Sequence, residues 1–353
     1  MPLTFDNETV ERFAKHLGKA KNIALIAHKN PDGDAVGSML GFYHWLYESF
    51  FVGEEEPRIT MVLPHPIPED ASYLPDSDKI INAVAEPARC KKALLDADLI
   101  MGVDFNNASR VEPLDEALEQ SQAVKLLCDH HHNPDRELFD EVISVADLSS
   151  TCELIFWLFV QIIGESSITL NTARCLYHGI NTDTGCFSYS NEDPSLYEAV
   201  AVMMRHPLHA AEVHNRLFNN YSCRKMNILR FLLGQRMKIF ADEGFAYLYI
   251  NAADLAKLEG TAEDLEGLVN YSLMMRDVDV GVMVKETDGQ VRMSFRSKSD
   301  FDVNRFANKY FGGGGHTKAS GATSQYDFDT TLKILEERML EELRENREKK
   351  LEE

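Results

Sequence analysis

The chain has 353 residues, of which 44% are hydrophobic and 26% are charged, a composition typical of a globular protein with more than one domain. Its formal net charge of -21 reflects 57 acidic residues against 36 Lys and Arg. Proteins that bind long nucleic acids need many basic side chains to displace phosphate counterions, so this charge argues against a long duplex as the partner. A short anionic substrate is compatible with it, because a local basic cluster or a metal pair can bind one.

The cysteines and the apolar segments indicate a cytoplasmic protein. The six cysteines are scattered and form no C-x-x-C pair, as expected for reduced thiols rather than a disulfide framework. The first 15 residues include acids and have no apolar segment of the secretory type. The longest apolar run, 154–163, is too short to span a bilayer. We therefore expect no membrane segment and interpret this run as a buried helix.

The first half of the chain alternates short apolar runs with segments of helical periodicity. Strands are predicted at 23–27, 59–63, 99–103 and 124–128, and helices at 35–51 and 112–122. This alternation predicts an α/β fold with a doubly wound, mostly parallel sheet and helices on both faces. Farther along, Ser150-Thr-Cys-Glu153 has the form of a capping box, and Asp193-Pro194 that of a helix start.

A second pattern begins near residue 237 and predicts a smaller α/β domain. Strands are predicted at 245–250, 280–285 and 291–296, and helices at 262–273, 302–311 and 332–352, the last a charged, solvated terminal helix. A mostly helical stretch with breaks at Pro207 and Gly234 precedes this domain. The predicted organisation is a first domain at 1–190, a helical linker at 191–234, a second domain at 235–342 and a charged tail at 343–353. We expect the active-site cleft between the two domains.

Polar residues follow the predicted strands of the first domain, at the sheet edge where open α/β folds bind ligands. His28-Lys-Asn-Pro-Asp32-Gly-Asp34 places three candidate metal ligands within seven residues. Two carboxylates held so closely repel each other unless cations neutralise them. The alternative is an Asx-rich loop that only caps the next helix.

Three further motifs complete the candidate set. Asp104 follows the third strand, Asp129-His-His-His132 follows the fourth, and Asp183 lies in an Asn-Thr-Asp-Thr-Gly segment. Alone, each fits a helix cap, a surface histidine cluster or a turn. Together they supply N and O ligands without Cys, which favours two Mn²⁺ ions (or Mg²⁺ or Co²⁺) over a structural zinc site. Two ions ~3.5–4 Å apart clamp a phosphate and activate water, so the set predicts a phosphoesterase. The candidate metal ligands are His28, Asp32, Asp34, Asp104, His130 and Asp183.

These motifs, with Arg296-Ser297 and Gly312-Gly-Gly-Gly-His316, resemble the DHH phosphoesterases of the RecJ-like superfamily. The similarity is to the DHH/DHHA1 subgroup of oligoribonuclease and 3′-phosphoadenosine-5′-phosphate (pAp) phosphatase-like proteins, and it extends from about residue 20 to about residue 323. It implies a DHH catalytic domain followed by a DHHA1 substrate-binding domain.

The resemblance also assigns roles to residues. One ion would be bound by His28 and Asp32 and the other by Asp34, His130 and Asp183, with Asp104 bridging them. Asp129 would orient a histidine ring by a hydrogen bond. His131 would face the phosphate or protonate the leaving oxygen. Arg110, whose match is looser, would assist catalysis or form a structural salt bridge.

The glycine-rich segment of the second domain has two interpretations. Gly312 to Gly315 lets backbone N–H groups turn toward an anion, and Arg296 and His316 add donors suited to a phosphate. The alternative is a flexible C-cap after the predicted helix. The resemblance favours phosphate binding, with substrate contacts from Arg296, Ser297, Gly313, Gly314, Gly315 and His316.

The function implied by the resemblance is metal-dependent hydrolysis of short oligoribonucleotides (nanoRNA) to mononucleotides, of pAp to AMP, or of both. The alternatives within the class are a phosphodiesterase for cyclic-di-AMP or linear pApA, and a pyrophosphatase or polyphosphatase. The alternative outside it is a non-enzymatic nucleotide-binding regulatory protein, which would be expected to lack a metal ligand. A homodimer is compatible with all of these.

Overall fold

The structure, a computed structural model, describes residues 3–53, 55–188 and 192–352. The chain divides into two compact units, 1–220 and 221–353. The boundary predicted at 190/191 falls outside the described residues.

The first unit is built on a six-stranded sheet in the order β3-β2-β1-β4-β5-β6, and all five strand pairs are parallel. The strands are β1 (Asn22–Ile26), β2 (Arg58–Leu63), β3 (Ile81–Asn82), β4 (Leu99–Val103), β5 (Val124–Asp129) and β6 (Glu141–Ser144). The strand order reverses between β1 and β4, and ligands bind at such a point outside the carboxyl ends of the strands. The predicted parallel α/β sheet is confirmed.

Helices cover both faces of this sheet. They are α1 (Asn7–Leu17), α2 (Gly33–Trp45), α3 (Pro87–Leu95), α4 (Asp115–Gln120), α5 (Thr151–Ile162), α6 (Leu170–Asp183), α7 (Pro194–Met203) and α8 (Ala210–Phe218). Ile23 and Leu25 of β1 belong to the core that packs against α1, α2, α5 and α6. Ala24 and Ile26 belong to the core under α3 and α4. Burial on both faces explains why this strand is a continuous apolar run.

Helices α2 and α6 approach each other closely because glycines line their contact. A Cβ on Gly37 would lie 2.6 Å from the carbonyl oxygen of Cys175. A Cβ on Gly179 would lie 3.1 Å from the Cα of Asp34 on α2, and 2.3 Å from the Sγ of Cys152 on α5. Real side chains do not fit at such distances, so the backbones pack directly. This packing places the start of α2 beside the end of α6, where candidate ligands lie.

The predicted helix starts of the first unit are confirmed, but one predicted helix is too long. The Oγ of Ser150 accepts the N–H of Glu153 to cap α5, and Asp193 caps α7 with Pro194 at its first position. The helix predicted at 112–122 is shorter, because Pro113 interrupts it and α4 begins only at Asp115. The edge strand β6 was not predicted, since it is half-buried and has no continuous apolar run.

The second unit contains a mixed six-stranded sheet in the order β11-β12-β10-β9-β8-β7. Its strands are β7 (Met237–Phe240), β8 (Phe245–Ile250), β9 (Val280–Thr287), β10 (Gln290–Ser297), β11 (Gly314–His316) and β12 (Ala319–Ser324). Its helices are α9 (Cys223–Gln235), α10 (Ala252–Lys257), α11 (Asn270–Leu273), α12 (Val303–Phe311) and α13 (Phe328–Glu352). Only β8 and β9 pair in parallel. The predicted smaller α/β unit is confirmed.

Two predictions in this unit need correction, whereas the helical break predicted at Gly234 agrees with the end of α9 at Gln235. The helix predicted at 262–273 is a 3₁₀ turn and the single-turn α11, separated by Gly267 with a φ of +78°. The terminal helix α13 is not solvated all round, since Leu335 and Met339 are buried in the core formed by β8, β9, β10 and α12.

Candidate metal centre

The first ligand motif forms the loop that opens α2. His28 is buried, and its Nδ1 lies 2.9 Å from the carbonyl oxygen of Lys29. Asp32 caps α2, since its Oδ1 accepts the N–H groups of Asp34 and Ala35 at 3.0 and 3.1 Å. The same Oδ1 lies 3.7 Å from the Nε2 of His28. The carboxylate therefore caps the helix and also faces a candidate ligand.

Asp34 is fully buried and faces the start of α5. Its two carboxylate oxygens accept the N–H of Thr151 at 2.7 Å and that of Cys152 at 2.9 Å. Helix N-termini favour negative charge, so α5 supports this carboxylate. Burial, and then the charges of Asp104 and Asp32, raise the pKa of Asp34. A divalent cation beside these carboxylates would offset that penalty, so the local charge fits one.

Asp104 lies at the centre of the cluster, directly after β4. Its φ of +62° is in the left-handed region that non-glycine residues rarely adopt, a strain typical of functional sites. The Oγ1 of Thr151 donates to its Oδ1 at 2.8 Å. Its Oδ2 lies 3.2 Å from the Nε2 of His28, and its Oδ1 lies 3.7 Å from both His130 Nε2 and His131 Nδ1. Asp104 is thus shared between the two sides of the cluster.

The Asp-His-His segment at the end of β5 directs its two rings differently, with their planes 70° apart. The Nδ1 of His130 lies 3.2 Å from the carbonyl oxygen of Leu148, and its Nε2 lies 3.4 Å from Oδ2 of Asp183. The Nδ1 of His131 lies 2.7 Å from Oδ1 of Asp129. Asp129 is fully buried and therefore sets the orientation of the His131 ring.

The ligand atoms form three overlapping groups, and within each group they all lie within 4.8 Å of one another. The groups are His28, Asp32 and Asp104; Asp34, His130 and Asp183; and Asp104, His130 and His131. Asp104 and His130 each belong to two groups, which joins the three into one centre. The structure thus brings all six predicted ligands together. Imidazole and carboxylate donors without thiolate suit Mn²⁺ or Mg²⁺, so the residues fit the predicted ions.

The electrostatics of the centre show an excess of negative charge. Burial opposes protonation of His28, but hydrogen bonds to Asp104 and Asp32 outweigh it and raise the pKa of His28. Burial also opposes ionisation of Asp104, yet the hydrogen bond and charge of His28 hold the pKa of Asp104 well below its usual range. Desolvation and then the charges of Asp34 and the other carboxylates raise the pKa of Asp183. Bound cations would relieve this repulsion.

Arg110 lies beside the centre, in the 3₁₀ turn Ala108–Val111. Its carbonyl oxygen accepts the N–H of Lys29 at 2.7 Å and so holds the loop that carries His28. Its Nε is buried and has no hydrogen-bond partner among the described residues. Its positive charge is close enough to act on the ring of His131. The structure therefore places Arg110 with the predicted catalytic residues.

Two residues of the centre were not found from the sequence. Thr151 was interpreted only as part of a helix cap, but it also donates to Asp104. His178 lies on α6 five residues before Asp183 and is fully buried. Its Nδ1 lies 3.2 Å from the hydroxyl of Tyr73, and its Nε2 has no hydrogen-bond partner among the described residues. Burial lowers the pKa of His178 to about 4, so the ring is neutral at pH 7.

In the second unit, Arg296 and His316 lie on the same face of the mixed sheet. Ala319 on β12 pairs with Arg296 on one side and with His316 on the other. Opposite residues in antiparallel strands share a face, so Arg296, Ala319 and His316 all lie on one face. Because neighbouring strands lie ~4.8 Å apart, the backbones of Arg296 and His316 are ~10 Å apart, with the small side chain of Ala319 between them. Gly281 on β9 faces Arg296 from the other side. Ser297 is buried on the opposite face, where its Oγ donates to a backbone carbonyl.

The glycine-rich segment both ends a helix and begins a strand. Gly312 ends α12 with a φ of +61°, and the N–H groups of Gly312 and Gly313 donate to carbonyl oxygens of α12. The C-cap interpretation therefore describes these two glycines. Gly314 and Gly315 belong to the exposed edge strand β11, which carries His316. Among the predicted substrate residues of this segment, the structure thus groups Gly314, Gly315 and His316 on the edge strand.

Comparison with known proteins identifies the family. A model described as the DHH family, N-terminal domain, matches residues 22–180, and a DHHA1 domain model matches residues 242–346. The bifunctional oligoribonuclease and PAP phosphatase NrnA of Bacillus subtilis is 30% identical over 324 residues, which cover 89% of this chain and 92% of the relative. The chain belongs to the DHH family. As a DHH protein with these relatives it is a hydrolase of the phosphoesterase class.

Two further comparisons agree with this membership. A protein from Thermus thermophilus with the same NrnA description is 27% identical over 330 residues, covering 92% of this chain and 89% of the relative. The crystal structure of an exopolyphosphatase-related protein from Bacteroides fragilis matches with a TM-score of 0.90 and 28% identity, covering 96% and 98% of the two chains. The family and fold predicted from the motifs are confirmed.

In the parts of this DHH chain that the structure describes, we find no helix with the length and apolar character needed to cross a bilayer.

Proposed function

We propose that this protein is a Mn²⁺-dependent phosphodiesterase and phosphatase that hydrolyses short oligoribonucleotides to mononucleotides and pAp to AMP. The observation that carries the proposal is the set of three overlapping ligand groups, two of which contain Asp104 and two of which contain His130. A single ion would need only one such group. Two groups with a common carboxylate are what a two-metal phosphoesterase requires. The NrnA relatives supply the substrate class, since they are named for these two activities.

The ligands divide between two ions in this proposal. One ion would be held by His28, Asp32 and Asp104, and the other by Asp34, His130, Asp183 and the shared Asp104. When bound, such ions polarise the phosphoryl oxygens and lower the pKa of the attacking water. Mn²⁺ is the proposed ion because the donors are imidazole nitrogens and carboxylate oxygens only.

The chain's own residues would handle the proton and the developing charge. Asp129 holds His131 through Nδ1, so the Nε2 of that ring is the atom we assign to protonating the leaving oxygen. Arg110 would donate from its guanidinium to a phosphate oxygen, and the burial of its Nε makes that charged hydrogen bond stronger than in water. Its backbone carbonyl holds the His28 loop at the same time.

The second unit would bind the part of the substrate remote from the scissile phosphate. Arg296 and His316 lie on one sheet face with only Ala319 between them, so both could contact one bound group. An Arg fork and an imidazole suit a phosphate or a base edge. Gly314 and Gly315 add no side chains that would obstruct this group. Ser297 would support the position of Arg296 through the strand rather than by direct contact.

The net charge of the chain bears on the length of the substrate, and its cysteines bear on the location of the protein. With a net charge of -21 for the whole chain, we expect substrates of about two to five nucleotides rather than long RNA or duplexes. The six cysteines are all free thiols, and four of them are buried. Free thiols in a chain of this length support a cytoplasmic location.

The test is a substrate panel assayed with Mn²⁺. It contains pAp, a diribonucleotide, a 20-nucleotide RNA, a cyclic dinucleotide and pyrophosphate, each with and without chelator. We expect pAp and the diribonucleotide to be hydrolysed fastest and chelator to abolish turnover. Preferred hydrolysis of the cyclic dinucleotide or pyrophosphate would replace the proposed substrate class. Unchanged turnover in chelator would exclude the two-metal mechanism.

A further inference from the structure

A cavity of about 400 Å³ lies within the first unit, and none of its lining residues is a candidate metal ligand. Its walls include Tyr73 from the loop after β2, Arg174 and Tyr177 from α6, and His209 and Arg216 at α8. Small-molecule sites in proteins begin at about 300 Å³, so a ligand the size of a single nucleotide fits. The catalytic proposal uses none of these residues.

The lining combines aromatic walls with positive charge. The guanidinium of Arg216 lies 4.3 Å from the ring centroid of Tyr73 and is also paired with Glu212 at 2.9 Å, so it forms part of the wall. Arg174 is exposed at the cavity and forms no ion pair with any described residue. Tyrosine rings stack on nucleobases, and an unpaired Arg beside a His recognises a phosphate. The chemistry matches a small ligand with one aromatic and one anionic part.

We propose that this cavity is a regulatory site for a nucleoside monophosphate. The base would stack on the Arg216 guanidinium that covers the Tyr73 ring, and the phosphate would bind Arg174 and His209. A free phosphate would leave the aromatic walls unused, and a bare base would leave Arg174 without a partner. The proposal rests on the proposed function only in that a mononucleotide is then also the reaction product.

A chain of contacts connects the cavity to the metal centre. The Tyr73 hydroxyl lies 3.2 Å from Nδ1 of His178, the buried residue behind the centre. A Cβ on Gly33 would lie 2.9 Å from Nε2 of the same ring, so α2 packs directly on it. Gly33 stands between Asp32 and Asp34. A ligand that draws Tyr73 into the cavity therefore removes support behind two candidate ligands, and we expect it to lower kcat.

The binding test uses the full chain with Mn²⁺ and 5′-AMP as the probe, measured by titration calorimetry. Wild type should show two classes of AMP sites, one at the metal centre and one in the cavity, and Arg174→Glu should lose the cavity class or weaken it by at least about tenfold, the effect of losing a charged hydrogen bond. Arg174→Lys retains the positive charge and should therefore retain AMP binding in the cavity. Lys91→Glu, the same charge change at an exposed position on α3, is the matched control. Identical isotherms for wild type and Arg174→Glu, with equal melting temperatures, would overturn the proposal.

The coupling test is inhibition of diribonucleotide hydrolysis by AMP. As the AMP concentration increases, the kcat of wild type should decrease and its KM should increase. For Arg174→Glu, only the KM should increase. Tyr73→Phe should still bind AMP but lose the effect on kcat, because the contact with His178 is removed. Purely competitive inhibition in wild type would refute the coupling. If AMP binds in an Arg174-dependent way but the panel substrates are not hydrolysed, the proposed function fails and the cavity assignment stands.

Discussion

Replacing Thr151 with valine tests whether Asp104 is the central carboxylate. Valine has nearly the shape of threonine, so Thr151→Val removes the hydroxyl that donates to Asp104 at 2.8 Å and little else. The backbone N–H of residue 151 still donates to Asp34, so this support of the Asp34 carboxylate is kept. Thr151 and Asp104 are both almost completely buried, so no bulk water is available to replace the lost hydroxyl donor.

The expected magnitude follows from the kind of bond that is lost. A hydrogen bond to a charged group contributes about 1.5–3 kcal/mol, which corresponds to a factor of roughly 10–150. Loss of a residue that orients a metal ligand typically costs about 10–100-fold in metal affinity or activity. We therefore expect Thr151→Val to require about 10–100-fold more Mn²⁺ for half-maximal activity.

The assay is the rate of diribonucleotide hydrolysis as a function of Mn²⁺ concentration. Thr151→Ser keeps the hydroxyl and should stay near wild type. Thr172→Val is the matched control, because Thr172 is also buried but its hydroxyl contacts the hydroxyl of Thr169, at 3.0 Å, rather than a candidate metal ligand. A Thr151→Val protein whose Mn²⁺ midpoint and kcat/KM both stay within about twofold of wild type would show that Asp104 does not depend on this donor, and the assigned centre would be wrong.

Five other substitutions test the metal centre, the glycine positions in the helices and the second unit. Asp104→Ala should be the most damaging single ligand change, because it removes the shared carboxylate; near wild-type turnover would contradict the two-metal assignment. Gly179→Ala places a methyl group 2.3 Å from a buried sulfur and should destabilise the fold by about 1–3 kcal/mol, measured by denaturant unfolding. Gly234→Ala, with nothing within 4 Å, should instead be stabilising by ~0.5–1 kcal/mol. Arg296→Ala and His316→Ala should lower kcat/KM for diribonucleotides and pAp but not for a minimal activated phosphoester, since remote contacts orient only large substrates. Equal losses on both substrate types would exclude a remote-binding role.

Local sequence patterns were sufficient to predict the elements that carry the ligands. The apolar run before His28 is a strand because it is buried on both faces, and such a run has no polar interruptions. Each ligand motif then follows at the carboxyl end of a strand or at a helix end. Asp32 was recognisable both as a helix cap and as a ligand, and the structure shows it capping α2. Predictions failed where a single residue, such as Pro113 or Gly267, interrupted an otherwise helical pattern.

The amino-acid sequence by itself thus determined the fold class, the family motifs and the six candidate ligands, because each depends on residue type and on short-range periodicity. Only the tertiary structure decided which atoms meet. Thr151 donates to Asp104 across 47 residues, and its N–H donates to Asp34 across 117. The contact between Tyr73 and His178 spans 105 residues. Such pairs are set by strand order and by the close packing of α2 on α6, and neither leaves a periodic signal in the chain.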